Sequence, residues 1–244
     1  MKKIATLFLM IILFLPTQVE GQKFSSQQLR NDFEIFRKSL EETHPGLYRF
    51  SDKQWFDSAF NNTAAFIQDS MSLKEFYRLS APLVARVKCG HTKYFPASGD
   101  ANIHQFHYFF DTTRLFPLKL IFTEHMVQIV GTYDKQTDRK LQGVGLLSIN
   151  GKPIQEIKDQ LFRVIPTDGN VISAKYLELN KYFSAWYANF ISAPDSFLLE
   201  LQWPDSSISQ MFVKPATISN IREHENKVSS LPKPNFGLTF PGEK

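Results

Sequence analysis

The amino-acid sequence predicts an α+β protein, with a helical N-terminal subdomain followed by a β-rich subdomain that carries an inserted helix. First, four apolar residues recur at spacings of four, three and four, which places them on one face of an amphipathic helix. They are Leu29, Phe33, Phe36 and Leu40. Second, apolar residues after Pro96 begin to alternate with other residues, as they do in strands. Third, a chain of 244 residues that is 43% hydrophobic has enough apolar material for a core.

Residues 1–21 have the form of a secretory signal peptide and are not expected to belong to the fold. Two lysines precede an apolar run over residues 4–15, a proline ends the run, and small residues follow just before Gln22. Such a run is too short to span a bilayer comfortably. We therefore expect the mature chain to begin at Gln22, to be exported to the periplasm or beyond, and to have no integral membrane segment.

The N-terminal subdomain, residues 22–96, is predicted to contain three helices. The first covers residues 26–43 and stops at the HPG sequence that follows, because a proline disfavours helical geometry in the residue before it. The second helix begins near Ser51. It carries its own set of apolar positions at helical spacing.

The third helix has the strongest start signal. Ser72 and Glu75 make an S-x-x-E capping box, in which each side chain satisfies a backbone amide of the other residue. The apolar pattern continues to about Val87. Pro82 lies inside it, so we expect a kink or a break there.

Residues 97–215 are predicted to form the β-rich subdomain. FPLKLIF (116–122) and MVQIVGTY (126–133) read as a hairpin. Asn150 and Gly151 follow a buried strand, and this pair tolerates the positive φ angles of a tight turn. The remaining predicted elements are helices at 155–165 and 171–191, the second being the insertion, and strands at 196–203 and 208–215.

The last segment, residues 216–244, is polar, contains prolines and is only weakly patterned. This composition is typical of a linker. We therefore expect a linker here.

Charge and cysteine content exclude several classes of function. The chain has 28 basic and 24 acidic residues, of which the signal peptide removes two and one, leaving a net charge of +3. Basic residues are scattered along the chain, so we expect no nucleic-acid partner. One cysteine cannot form an internal disulfide.

The stretch KCGHT, residues 88–92, contains that cysteine, Cys89, and, two residues later, His91. A structural role is one interpretation, since free cysteine is usually a small buried residue. A metal site would need further ligands, which His104 and His107 could supply. Cysteine catalysis is also weakly supported, because its base should face the thiol across the site. We expect a buried thiol, an exposed His91 on a surface turn, and no metal or cofactor.

Four segments together resemble a known family. They are FEIFRKSLEETHPGLYRF, LKEFYRLSAPLVARVKCGHT, FPLKLIF and GVGLLSINGKPIQEI. In this order, residues 26–215 resemble the N-terminal part of secreted tail-specific (C-terminal-processing) serine proteases, in particular the Bacteroidetes-type, tricorn-like branch. THPGLY combined with GHT is the more specific signal, whereas LLSING is shared by PDZ-like domains generally. The resemblance implies a helical subdomain, then a PDZ-like domain, then a protease core.

The resemblance also implies a role for His91, as the general base of a serine nucleophile. In the family that serine lies well beyond the PDZ-like domain, and none of the serines here stands in a glycine-rich strand-to-helix turn. We therefore expect a chain that lacks the nucleophile and is inactive alone. The implied substrates are polypeptide C-termini or unfolded protein.

A PDZ-like domain would capture a peptide by adding it to the sheet as a strand. Two departures from the family pattern argue against the standard geometry: Pro117, which has no amide proton, stands in the carboxylate loop, and Val144 replaces a common acidic residue. The alternatives are a secreted PDZ-like peptide-binding or adaptor module without a protease core, and a purely structural domain. The candidate peptide-binding residues are Leu118, Leu120, Ile157 and Leu161.

Overall fold

The structure is a computed structural model that describes residues 22–94, 110–133 and 139–229. The predicted signal peptide, His104 and His107 lie outside these ranges. Within them, the chain forms six α-helices and two antiparallel sheets, which confirms the predicted α+β class. None of the helices in this part of the chain is both long and apolar enough to cross a membrane.

Three helices form the N-terminal unit, and each begins at a side chain that caps it. Ser25 forms a capping box with Gln28, and Ser72 forms one with Glu75. Asp52 caps the helix between them. These caps satisfy backbone amides that have no partner inside the helix. The helices are α1 (Ser26–Thr43), α2 (Lys53–Ala65) and α3 (Leu73–Val87), and two short strands, β1 (Lys23–Phe24) and β2 (Met71–Ser72), pair beside them.

Phenylalanine rings fill the core between these three helices. Phe33, Phe56 and Phe60 are buried there. The Phe33 ring meets Phe60 and Phe76 edge-on, with centroids 6.2 and 6.4 Å apart. Edge-to-face pairs of this kind add about 0.5–1.5 kcal/mol to the apolar burial itself. This core fixes the position of α3, and hence of the residues that follow it.

Helix α3 runs through Pro82 without a break. A proline inside a helix removes one hydrogen bond and crowds the carbonyl four residues earlier. Here the α3 residues on either side of Pro82 are buried, and their packing holds the helix together. The helix ends at Lys88, which adopts the left-handed conformation with φ 55° and ψ 42°. Its amide still donates to the carbonyl of Ala85. The chain therefore turns sharply after α3.

The second unit is built on an antiparallel sheet of order β3-β4-β5-β7-β8, with β6 paired to β5. Asn150 and Gly151 both have positive φ and form the turn between β5 and β6. The strands are β3 (Leu118–Phe122), β4 (Val127–Thr132), β5 (Gly145–Ile149), β6 (Lys152–Pro153), β7 (Phe197–Gln202) and β8 (Ile208–Val213). The predicted hairpin, β3 with β4, and the Asn-Gly turn are present.

Two helices, α4 (Ile154–Phe162) and α5 (Ile172–Phe190), pack against this sheet. Helix α5 lies where a helix was predicted, and its geometry is interrupted at Tyr182, where φ is −133°. Just before this point Asn180 accepts from the amide of Phe122 at 2.6 Å and donates to its carbonyl at 3.4 Å. Helix α5 is thereby fixed to the end of β3.

Helix α3 also contacts the second unit. The Tyr77 ring is buried, with its centroid 5.4 Å from that of Phe190. Arg78 donates to the carbonyls of Asn189 and, at 3.4 Å, Ile191. The end of α5 is therefore attached to α3, which positions the two units relative to each other.

The prediction of a linker from residue 216 is wrong over its first half. Ala216 pairs with Leu115 through two hydrogen bonds of 2.9 Å, and helix α6 (Ile218–Ser229) follows. Ile221 is buried against Leu115 and Ala188. The weak apolar pattern of this segment is enough to form a helix, because α6 is stabilised by packing on the rest of the fold.

Candidate functional site

The KCGHT turn, residues 88–92, lies where α3 meets the loop between α4 and α5. The amide of Thr92 donates to the carbonyl of Cys89 at 3.1 Å and closes the turn. On the opposite side, the amide of Gly169 donates to the carbonyl of Lys88 at 2.9 Å. The turn is therefore attached by its backbone to a loop that belongs to the second unit.

Asp168 forms a second link between the turn and this loop. Its Oδ1 accepts from the amide of Gly90 at 2.7 Å. A Cβ atom at position 90 would lie 3.1 Å from Asp168 Oδ2, which is closer than most such contacts in proteins. Glycine at position 90 is what allows the carboxylate to approach the backbone so closely.

His91 projects from the turn into solvent, with its side chain 91% exposed. Its Nδ1 lies 3.9 Å from Oδ1 of Asp168, whose side chain is 66% exposed. This distance is too long for a hydrogen bond but brings a carboxylate beside one ring nitrogen. Nε2 is then the ring nitrogen available to a group that approaches from outside.

His44 joins the HPG sequence after α1 to the turn. Its Nδ1 accepts from the amide of Gly46 at 3.2 Å, and its Nε2 lies 2.9 Å from Oγ1 of Thr92. A neutral ring whose Nδ1 accepts must carry its proton on Nε2, so His44 donates to Thr92. The Thr92 hydroxyl can then donate to the sulfur of Cys89. The contact between His44 and Thr92 joins the THPG sequence to the GHT sequence, which is a physical reason for the two to occur together.

Cys89 is only partly buried, and this corrects the prediction of a buried thiol. The hydrogen bond from the Thr92 side chain, with smaller contributions from the backbone of His91 and Thr92, lowers the pKa of the Cys89 thiol. Burial and the nearby charge of Asp168 act in the opposite direction. The net effect is a lowered pKa, so the thiolate, which is the reactive and metal-binding form of cysteine, forms more readily than it would without the hydrogen bond from Thr92.

The side chains of Cys89, His91 and Asp168 are close enough to be considered as metal ligands. Their ligand atoms all lie within 4.8 Å of one another. The sequence suggested His104 and His107 as partners for the first two, but those residues lie outside the described ranges.

The four candidate peptide-binding residues do not line an open groove, and this corrects their assignment. All four are at most 2% exposed and belong to the core between the sheet and its helices. They are Leu118, Leu120, Ile157 and Leu161. Apolar and other residues alternate along β3 because one face of the strand packs into the core.

The backbone groups that a standard PDZ-like site would offer are already in use. The amide of Leu115 donates to the carbonyl of Ala216, and the carbonyl of Pro117 accepts from Tyr133 at 2.8 Å. The backbone of Phe122 at the end of β3 is bonded to Asn180. Val144 is a core residue, 1% exposed. A peptide that added to β3 beside Phe122 would have to displace Asn180.

Sequence reasoning did not identify Asp168 or His44 as part of the site. Asp168 is 78 residues from Gly90, and His44 is 48 residues from Thr92. The only local signal at Asp168 is a T-D-G-N sequence, which indicates a turn but not its neighbour in space.

Comparisons with known proteins find similarity at the level of structure. No family model and no curated protein matches the chain. Mature CPAF, a chlamydial serine protease with a tail-specific protease-like fold, is similar with a TM-score of 0.53 and 12% identity over 87% of this chain. A serine-to-alanine mutant of CPAF gives a TM-score of 0.53 and 13% identity over 83%. CPAF complexed with lactacystin gives 0.52 and 11% over 78%.

This similarity concerns the fold alone. The chain spans 39% of the length of the mature CPAF chain and 34% of that of the lactacystin complex. The identities of 11–13% carry no assignment of residues from one protein to the other.

Proposed function

We propose that this chain carries the general base of a serine-type, tail-specific peptidase, and that the serine nucleophile lies outside the 244 residues printed here. His91 is the base and Asp168 the carboxylate that orients and stabilises its ring. The observation that carries the proposal is the exposed imidazole of His91, presented beside a carboxylate on a turn that hydrogen bonds fix on both sides.

The arrangement suits proton transfer from a serine. A serine hydroxyl is a weak nucleophile until a neighbouring base takes its proton. His91 would accept that proton at Nε2, while Asp168 beside Nδ1 would stabilise the resulting imidazolium. The separation of 3.9 Å is of the loose kind common in sites without substrate, which tighten when the substrate binds.

Three further features support a peptidase. The THPG and GHT sequences in combination resemble those of the tail-specific family, and here the side chains of His44 and Thr92 are in contact. The fold resembles part of CPAF. A partly buried turn between two packed units is also a site that a later domain could cover, which would exclude water from the proton transfer.

The proposed substrates are polypeptide C-termini or unfolded proteins outside the cytoplasm, as in the resembling family. The sheet and α5 would act as a spacer or lid, because the groove beside β3 is closed by Asn180 and by the core. The alternative of a PDZ-like adaptor requires an open groove at this position, so the peptidase is the better supported function.

Proteolysis of an unfolded protein substrate tests the proposal, with the protein isolated in the length and assembly in which its cells produce it. We expect turnover, and we expect His91→Ala to lower kcat/KM at least about a thousandfold. Asp168→Asn should lower kcat with a smaller effect on KM. His125→Ala, an exposed histidine in the β3–β4 turn, is the matched control and should retain activity. Turnover that survives His91→Ala, or no turnover at all, would contradict the proposal.

A further inference from the structure

Three side chains of different chemistry converge at the KCGHT turn: a thiol, an imidazole and a carboxylate. Cys89 and His91 come from the turn itself, and Asp168 comes from the loop between α4 and α5. Their ligand atoms lie within 4.8 Å of one another. The mechanism proposed above uses the imidazole and the carboxylate but leaves the thiol without a role.

The spacing is close to that of a metal centre. Ligands bound at about 2.0–2.3 Å to a tetrahedral zinc ion lie about 3.3–3.8 Å from one another. The described positions therefore need a contraction of roughly 1 Å. Movement of that size is available to His91, since its side chain is 91% exposed and free to rotate.

The other two ligands are already held near their places. The backbone of Gly90 anchors Oδ1 of Asp168, whereas no described residue donates a hydrogen bond to Oδ2. The C-x-H spacing, with a turn closed by the Thr92 amide, brings the sulfur and the imidazole to the same side. Binding a metal ion would therefore cost little free energy for ordering the ligands, because the turn and Asp168 are already held in place.

We infer that Cys89, His91 and Asp168 form a binding site for a single zinc ion. One sulfur, one nitrogen and one oxygen ligand match the preferences of Zn²⁺, whereas calcium and magnesium prefer oxygen alone. Three protein ligands leave a fourth position for water, and the exposure of the site allows the ion to exchange with solution.

The ion and the proposed catalytic role compete for the same ring. An imidazole bound to zinc cannot take a proton from serine, so a bound ion would switch the peptidase off. This consequence rests on the proposed function, but the binding of zinc does not. If the protein isolated in the length and assembly in which its cells produce it binds zinc but shows no proteolysis in the metal-free state, the proposed function is overturned and this inference stands.

Titration of the purified, metal-free protein with Zn²⁺ in competition with a chromophoric chelator tests the inference. We expect one ion per chain. Replacement by Co²⁺ should give the thiolate-to-cobalt charge-transfer absorption and the intense visible bands of a tetrahedral ion. Zinc should also protect Cys89 from alkylation by iodoacetamide.

The variants distinguish this site from adventitious binding. Cys89→Ser, His91→Ala and Asp168→Asn should each weaken zinc binding at least about tenfold, and Cys89→Ser should abolish the charge-transfer band. Asp168→Asn keeps an oxygen that can accept from Gly90, so the turn should remain folded. His125→Ala should bind zinc like the unmodified chain. The inference is overturned by a stoichiometry near zero, by binding that all three ligand variants retain, or by an equal loss in His125→Ala.

Discussion

At the scale of single residues, the site contains two histidines with different surroundings. Both ring nitrogens of His44 have partners, the amide of Gly46 and the hydroxyl of Thr92. The ring of His91 lies near the carboxylate of Asp168 and the thiol of Cys89, and its side chain is almost fully exposed. The first ring therefore holds the turn in place, and the second is free for chemistry.

Alanine replacements should separate these two roles. His91→Ala should change the free energy of unfolding by less than about 0.5 kcal/mol, as is usual for an exposed side chain. His44→Ala should cost about 1–2 kcal/mol, because it leaves the hydroxyl of Thr92 and the amide of Gly46 without their partner. Urea unfolding of both variants measures the difference. Equal losses, or a larger loss for His91→Ala, would mean that the roles are assigned to the wrong histidines.

The pH dependence of Cys89 alkylation should depend on the hydroxyl of Thr92. Because the hydrogen bond from Thr92 lowers its pKa, the rate of alkylation should rise with pH at a lower midpoint in the native chain than in the urea-unfolded chain. Thr92→Val should move the native midpoint upward. Thr63→Val in α2 serves as the control, and all measurements include a chelator. The same midpoint in the native and unfolded chains would show that Thr92 does not stabilise the thiolate.

At the scale of elements, helix α3 determines where the turn lies. A capping box starts the helix, and the left-handed Lys88 ends it. Its middle is packed on both sides, against the phenylalanine core and, through Tyr77, against the second unit. The position of the catalytic candidate thus follows from the ends of one helix.

The cap of α3 can be tested without touching the turn. Ser72→Ala should lower the free energy of unfolding by about 1 kcal/mol, since the first turn of the helix loses its acceptor. Ser39→Ala is the control: this serine is exposed in the last third of α1, and its hydroxyl donates to the carbonyl of Ile35, so loss of the hydroxyl should be neutral or slightly stabilising. Thermal or urea unfolding compares the two. A cost for Ser39→Ala as large as for Ser72→Ala would contradict the assigned cap.

At this scale, the sequence predicts features that depend on residues close together in the chain. The capping box of Ser72 and Glu75, the Asn-Gly turn and the hairpins each depend on residues a few positions apart. Helix α6 was missed because it is stabilised by packing on Leu115 and Ala188, which are distant in the chain. The strand β3 was correctly placed, but its residues were assigned to a groove because alternation reveals a buried face and not what covers it.

At the scale of the whole molecule, the site exists only where two units meet. The turn belongs to the helical unit, whereas Asp168 and Gly169 belong to the loop of the sheet unit. Arg78 and Tyr77 fasten the same two units on another side of α3. The sequence indicated His91 by resemblance but gave no sign of Asp168, because that pairing depends on how the units pack.

The central claim is that His91 activates a serine that the printed residues do not include. A fluorophosphonate probe reacts with a serine only where a base activates it, so mapping the labelled peptide in the protein isolated from its own cells tests the claim most directly. We expect the label on a serine outside residues 1–244, lost in His91→Ala and retained in His125→Ala. A label on a serine within residues 1–244, labelling that persists in His91→Ala, or no labelling of any serine would contradict the account.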